Sequence, residues 1–483
     1  MIASGVVAVV LYLGFIGVHV SPYGSNADAS GYLNHAKLIQ AGEARIPLNT
    51  LAAYEAGWFP YLQSPLGLTL DPTRTHLVPV YPVGYPLQLA AVGALVSLPL
   101  ATPVLNTLMV LLSGVLLWIF ARDWGLPVCG RVAAIAALWA SPLFIYNSTQ
   151  PMSDVCAMVW CLATFCAIQR GNQHHKLGWY IAAGVCLAIA VLVRPTNVLL
   201  IFAVVGLTGF KLRPLGGIFA GGVPGGVFFL WYNHHLYGGV TKSGYGDISR
   251  FLDWEFFTAG ATHFAEGLVL HFSPLIPLLF LGVFFTAKPL RNHLLLWTVP
   301  GFIFYACYSF SDDNWWYLRF LLPAAPAIVV GAIIVAHTLL QRVKNAPLKI
   351  ALSLLGLAGV IGWEIKAIPE QHTLVMKRGE VIYQQTTDWI HQHVEPGAII
   401  IAHQTSGALH YEGVDHFLVR ADLVTPADSV VMFAAAEAQQ IPIYATLFLH
   451  ENDSVPPKIG GDWQLLAQFG VIKIYAINPP TTS

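Results

Sequence analysis

Apolar residues in this chain come in runs, and the runs are of membrane length. Stretches at residues 2–20, 102–121, 130–147, 155–169, 178–193, 196–210, 215–236, 268–286, 293–310, 320–338 and 349–365 hold few charged side chains. About 20 apolar residues in a helix cross the ~30 Å hydrocarbon layer, so the pattern predicts about eleven spans. Residues 81–98 form a further apolar stretch interrupted by Pro82, Gly84 and Pro86, which reads as a helix lying at the interface or entering partway. Beyond residue 366 the pattern changes. Residues 376–393 read as an amphipathic helix, 398–403 as a strand, 426–439 as a helix, and 441–447 and 471–477 as strands. This alternation predicts a small α/β layer fold. The expected architecture is an α-helical polytopic membrane protein over residues 1–366, followed by a soluble C-terminal α/β domain over 367–483.

Composition agrees and excludes several classes. Of 483 residues, 56% are hydrophobic and only 10% charged, with a mean hydropathy of +0.62. Soluble domains carry roughly 25% charged residues, so a soluble enzyme, a disordered chain and a nucleic-acid binder are excluded. The six cysteines lie in apolar stretches without metal-ligand spacing, so no disulfide framework or zinc site follows. The net charge of -1 conceals an asymmetry. Residues 367–483 hold five Lys/Arg against twelve Asp/Glu, and residues 1–366 hold nineteen against thirteen.

The charges also orient the chain. One set of connections carries Arg122, Arg131, Arg170, Lys176, Lys211, Arg213, Lys288, Arg291, Arg342, Lys344 and Lys349. The alternate set is acidic, with Asp28, Glu43, Asp71, Asp154, Asp247, Asp253, Asp312 and Asp313 among its residues. Basic loops stay in the cytoplasm, which predicts an inside N-terminus and an extracytoplasmic C-terminal domain. Short cytoplasmic connections and the absence of organelle signals suggest a bacterial inner membrane, and an endoplasmic reticulum protein would present the same pattern. The long connections, 21–80 and 237–266, then face outward, and any chemistry is expected there.

Few residues can carry such chemistry, and each has a plainer reading. Asp28 would sit in the first turn of a helix after the first span and share a face with Tyr32; it is either a dipole-stabilised first-turn acid or a general base at the membrane surface. His76, Tyr81 and Tyr85 lie in a proline-stiffened segment, where tyrosines serve as interfacial anchors or line a pocket. Asp154, after Ser153, either begins a capped helix or faces a ligand. Arg194 and Arg319 stand at the edges of apolar runs, where they snorkel to lipid phosphate or clamp the phosphate of a substrate. Lys242 and Tyr245 belong to a glycine-rich connection, Gly238-Gly239-Val240-Thr241-Lys242-Ser243-Gly244-Tyr245-Gly246, whose backbone could approach a ligand closely.

Taken in order, Asp28-Ala29-Ser30-Gly31-Tyr32, Val80-Tyr81-Pro82-Val83-Gly84-Tyr85-Pro86-Leu87, Pro151-Met152-Ser153-Asp154, Leu192-Val193-Arg194-Pro195, Ser243-Gly244-Tyr245-Gly246 and Tyr317-Leu318-Arg319-Phe320-Leu321-Leu322-Pro323 resemble the GT-C superfamily of polyprenyl-phosphate-sugar-dependent membrane glycosyltransferases. The likeness is to the branch with protein O-mannosyltransferases and the lipid A aminoarabinose transferase. Many members of that branch carry Asp-Glu in the first loop; here Ala29 follows Asp28. The resemblance implies a lipid-phosphate-linked sugar donor, an acceptor glycan, lipid or protein, and inversion at the anomeric carbon. It further implies Asp28 as the base, Asp154 as a catalytic-site residue holding donor or acceptor, and Arg194, Arg319 and Lys242 as the donor-phosphate ligands. Tyr32, His76, Tyr81, Tyr85 and Tyr245 would line the donor or acceptor pocket. No cofactor is required by this scheme, and metal-dependent relatives in the wider superfamily leave a divalent ion open. The competing classes are a transporter, which would place charges mid-membrane in repeated halves, and a multi-span scaffold or receptor acting through its C-terminal domain.

Overall fold

A computed structural model of the chain describes residues 2–48 and 60–479; residues 49–59 of the first long connection lie outside it. All eleven apolar runs are helical over most of their length. Among the described residues, Leu98–Asp123, Leu212–Tyr237, Trp315–Leu340 and Ala346–Glu370 are long and apolar enough to cross a membrane alone. Two other runs are bent pairs, Val128–Ala140 with Pro142–Ser148 at 64° and Trp254–Phe272 with Leu275–Phe285 at 118°. The expected single span over 268–286 is therefore corrected to a sharp break. Its cause is local: Ser273 takes φ +59° and Pro274 follows it, so neither residue continues a helix. Residues 81–98 form the short helix Gly84–Val96.

The chain groups into two compact units that do not follow chain order. One comprises Met1–Val20, Pro103–Leu230 and Asp247–Met376, and the other Ser21–Thr102, Trp231–Gly246 and Lys377–Ser483. The first unit is made of helices. The second unites the first long connection, the glycine-rich connection and the C-terminal region.

Two sheets organise the second unit. Strands β1 (Ile46–Pro47), β2 (Leu68–Leu70) and β3 (His76–Pro79) pair antiparallel in the order β1-β3-β2. Asp71 pins the turn between β2 and β3 by accepting bonds from the Thr73 hydroxyl and from the backbone N–H groups of Thr75 and His76. Burial opposes its charge, but these bonds prevail and hold Asp71 below the usual carboxylate value. The larger sheet contains β4 (Ile399–Ala402), β5 (Phe417–Arg420), β6 (Ile443–Phe448), β7 (Asp462–Phe469) and β8 (Ile472–Asn478), ordered β5-β4-β6-β8-β7. Strands β4, β5 and β6 run parallel, with helices Ser406–Glu412 and Pro426–Gln439 in their crossovers. Both faces are apolar, as a parallel sheet demands: Ile399 and Ile401 pack on one side, Ile400 and Ala402 on the other. Leu62 of the first long connection belongs to the former core.

A second link within this unit is titratable. Helix Met376–His393 buries Glu380, which accepts a 2.7 Å bond from the Ser25 hydroxyl. Burial pushes this carboxyl up to about 7, against the hydrogen bonds from Ser21 and Ser25, which lower it. The folded state therefore keeps a proton that the unfolded chain releases above about pH 4.5, so stability is greatest below that value and falls as pH rises toward 7. The loss amounts to about 3 kcal/mol for a shift of this size. Thermal melting in detergent across pH 5–8 is expected to show this decline, and Glu380→Gln to flatten it.

Candidate functional site

Two clusters gather most of the residues expected to carry chemistry, one in each unit. The first is built on helix Ala27–Gln40. Asn26 caps it by accepting from the N–H of Ala29 at 2.9 Å, which places Asp28 in the first turn, where the dipole favours its charge. Asp28 is half-buried and accepts a hydrogen bond from the Tyr81 hydroxyl. Burial and the Asp28 charge push that hydroxyl well above its ordinary value, so Tyr81 keeps its proton and remains a donor. Tyr32 lies one turn along the helix. Its ring sits 5.0 Å from Tyr81 and 5.2 Å from Tyr85, and Tyr81 meets Tyr245 edge-on at 5.8 Å. Tyr32, Tyr81 and Tyr85 are buried, while Tyr245 is 43% exposed. The four expected tyrosines thus form one wall beside the carboxylate.

Close backbone approach makes this packing possible. A Cβ on Gly31 would lie 2.4 Å from the Tyr81 ring and 2.9 Å from the Gly67 Cα, and one on Gly67 (φ +88°) only 2.3 Å from the Gly31 Cα. In the glycine-rich connection a Cβ on Gly244 would meet the Val80 backbone at 2.4 Å. The glycines expected to admit a ligand instead admit the chain's own residue 80, and this fixes Tyr245 against Tyr81. Deeper on the same helix, His35 Nε2 is 2.7 Å from the Tyr232 hydroxyl. Burial drives this imidazole down to about 3, so it stays neutral and serves packing.

Two expected residues lie apart from the wall. His76 is occupied by the β2–β3 turn, with Nδ1 2.9 Å from the Thr75 hydroxyl and 4.0 Å from Asp71. Lys242 is exposed, three residues before Tyr245.

The second cluster lies within the helical unit. Asp154 begins helix Asp154–His174 and is 1% exposed. Arg194 ends helix Leu177–Val193 in an extended conformation imposed by the following Pro195, and its Nη2 is 2.6 Å from Asp154 Oδ1. Its guanidinium also lies 5.3 Å from the Phe320 ring centroid. Arg319 is 8% exposed, donates from Nη1 to Met152 Sδ at 3.5 Å, and lies 5.7 Å from the same Phe320 ring. Phe320 in turn stacks on Tyr305 at 4.6 Å, whose hydroxyl is 2.5 Å from that of Thr196. Asp154, Arg194 and Arg319 are therefore brought together around one aromatic ring. The part of Phe320, Tyr305 and Thr196 was not foreseen; only the position of Phe320 beside Arg319 hinted at it. Among the described residues no group of three or more His, Cys, Asp or Glu side chains is arranged to hold a metal ion.

The fold that carries these clusters has known counterparts. Structures of ArnT from Cupriavidus metallidurans, bound to undecaprenyl phosphate and in the apo state, match with TM-scores of 0.59 and 0.57 at 14% and 15% identity. Each match covers 99% of this chain and 98% of the other. The chain has an ArnT-like fold. A family model described as dolichyl-phosphate-mannose-protein mannosyltransferase matches residues 92–212, the segment holding both Asp154 and Arg194. No curated protein matches the chain by sequence. The fold expected from the short motifs is therefore the fold observed.

The Tyr81–Asp28 bond has a measurable consequence. A donor that stabilises the carboxylate lowers its proton affinity. Tyr81→Phe is expected to move the acidic limb of the pH–kcat profile upward by about half a unit to one unit, the equivalent of one hydrogen bond of ~1 kcal/mol. Turnover near pH 8 should stay within severalfold of wild type.

Proposed function

We propose that this protein is an inverting glycosyltransferase. It moves a sugar from a polyprenyl-phosphate donor to an acceptor on the extracytoplasmic face of a bacterial inner membrane, with its N-terminus in the cytoplasm. The observation that carries the reading is the half-buried Asp28 carboxylate, held by the Tyr81 hydroxyl beside a wall of tyrosines. The acceptor hydroxyl or amine attacks the anomeric carbon from the face opposite the phosphate. The new bond to the acceptor forms as the carbon–oxygen bond to phosphate breaks, and Asp28 takes the acceptor's proton. A positioned carboxylate contributes ~10²–10⁴-fold to such a step.

Negative charge grows on the departing phosphate, and cations fixed beforehand lower the barrier. Arg194 and Arg319 have that role. Asp154 holds the Arg194 fork in one orientation and thereby acts through it. Lys242, exposed on its loop, is a further ligand for the lipid phosphate. Tyr245, the exposed member of the wall, offers its ring face and hydroxyl to sugar and is backed by the buried Tyr32, Tyr81 and Tyr85, while His76 supports the loop rather than the pocket. The full-length match to ArnT, in a structure bound to undecaprenyl phosphate, supports a donor of this lipid class.

The test uses purified full-length protein with a panel of polyprenyl-phosphate sugars. Release of polyprenyl phosphate is followed, and the anomeric configuration of the product is read by NMR. Transfer with inversion is expected. A retained anomer would overturn the single displacement, and no turnover with any lipid-linked sugar would overturn the class.

A further inference from the structure

We infer that the C-terminal region is the mount of the catalytic-base helix, with Asn34 and Gly407 as positioning residues for Asp28. This rests on the reading of Asp28 as the base and assigns the α/β region a part in the reaction itself, in place of a detachable acceptor-binding module.

Helix Ala27–Gln40 has no solvent face over two turns: residues 29–36 are all buried. Tyr32 looks onto the tyrosine wall and His35 onto Tyr232. The remaining face, at i, i+4 and i+7, carries Ser30, Asn34 and Lys37, and it lies against helix Ser406–Glu412. Asn34 Nδ2 donates to the Gly407 carbonyl at 3.0 Å, and Lys37 Nζ to the Tyr411 carbonyl at 2.8 Å. At the crossing no side chain fits. A Cβ on Gly407 would lie 2.1 Å from Ser30 Oγ and 2.8 Å from the Leu66 carbonyl oxygen.

A second route reaches the same helix. Residues 60–67 lie along the carboxyl ends of β4 and β5, the edge at which open α/β sheets ordinarily receive a ligand. Arg420 Nη1 donates to the Ser64 carbonyl at 2.9 Å, the Leu66 N–H donates to Ser406 Oγ at 3.0 Å, and Tyr61 donates to Asp428. Leu62 is buried in the sheet's core. The segment then delivers Gly67 against Gly31, 3.2 Å from the Ala27 carbonyl oxygen by its would-be Cβ. The ligand edge of the α/β region thus grips the chain's own loop, and that loop braces the turn bearing Asp28.

Displacing this helix by an ångström is enough to spoil a proton transfer, at a cost of up to ~10²-fold. Asn34→Ala and Gly407→Ala in the full-length protein test the mount. Each is expected to lower kcat at least tenfold, to leave KM for the lipid-linked donor within twofold, and to move the acidic limb of kcat upward as the Tyr81 bond to Asp28 loosens. Amide exchange across residues 27–40 should accelerate in both. Ser30→Gly introduced into the Gly407→Ala protein should recover part of the loss. Tyr444→Phe, which removes a bond to Glu395 elsewhere on the same sheet, should change neither reading. If Gly407→Ala does not fold, Asn34→Ala alone decides. Unchanged exchange together with kcat within twofold of wild type in Asn34→Ala overturns the inference. Full activity in Asp28→Asn would instead overturn the base assignment, and exchange over residues 27–40 would still report on the mount.

Discussion

Asp28→Asn is expected to lower donor turnover by ~10²–10⁴-fold, the range over which a positioned general base contributes. The replacement is nearly isosteric, and its amide oxygen still accepts from Tyr81, so the wall of tyrosines should persist. What disappears is the capacity to hold the acceptor's proton. The loss of a negative charge in the first turn of a helix costs about 0.3–1 kcal/mol. Melting temperature and donor KM should therefore stay close to wild type while kcat collapses. Turnover within tenfold of wild type would remove Asp28 from the reaction. The contrast with Tyr81→Phe is informative, because that change alters only when the base is available, not whether it exists.

Arg194→Ala should act on folding as well as on chemistry. Asp154 is 1% exposed and its partner stands 2.6 Å away. Removing one member of a buried pair leaves an uncompensated charge, at a cost of about 3–5 kcal/mol. The protein should melt earlier in detergent and lose turnover together. Replacing both residues, Asp154→Leu with Arg194→Met, is expected to restore much of the stability, since apolar substitutes for a buried pair are often neutral. Activity should not return with it, because the phosphate then lacks its guanidinium fork. Arg194→Lys preserves charge but not the planar fork, so it should sit between these extremes. If the double replacement transfers sugar normally, the pair is structural and Arg319 must carry the phosphate without it.

Local features of this fold could be read from residue order alone. Helix Pro426–Gln439 follows from Thr425, Pro426 and Asp428, a capping signature with its own stereochemistry. The start of helix Ala27–Gln40 follows likewise from Asn26, and the apolar runs could only be helices in lipid. The edge strands β5 and β7 escaped notice for a physical reason. Phe417–Arg420 is too short for a period to register, and Asp462–Phe469 contains a register shift between Leu465 and Ala467 that breaks alternation. The break at Ser273 was equally hidden, because a left-handed serine leaves no hydropathic trace. Within the candidate site, the charged and tyrosine positions were legible because charge is scarce in such a chain. Their partners were not: nothing near Asp28 in sequence points to Tyr81, and nothing near Asn34 points to Gly407. Those pairings depend on glycines that look unremarkable in a chain holding 43 of them.

The pairing of Asn34 with Gly407 spans 373 residues, and this separation has a temporal meaning. A ribosome adding about 5–20 residues per second needs roughly 20–75 s to make the second partner after the first. During that interval the helix bearing the carboxylate has been synthesised, but the surface that seats it has not. The nascent protein would acquire its activity late, in one step, only when the segment around Gly407 has emerged.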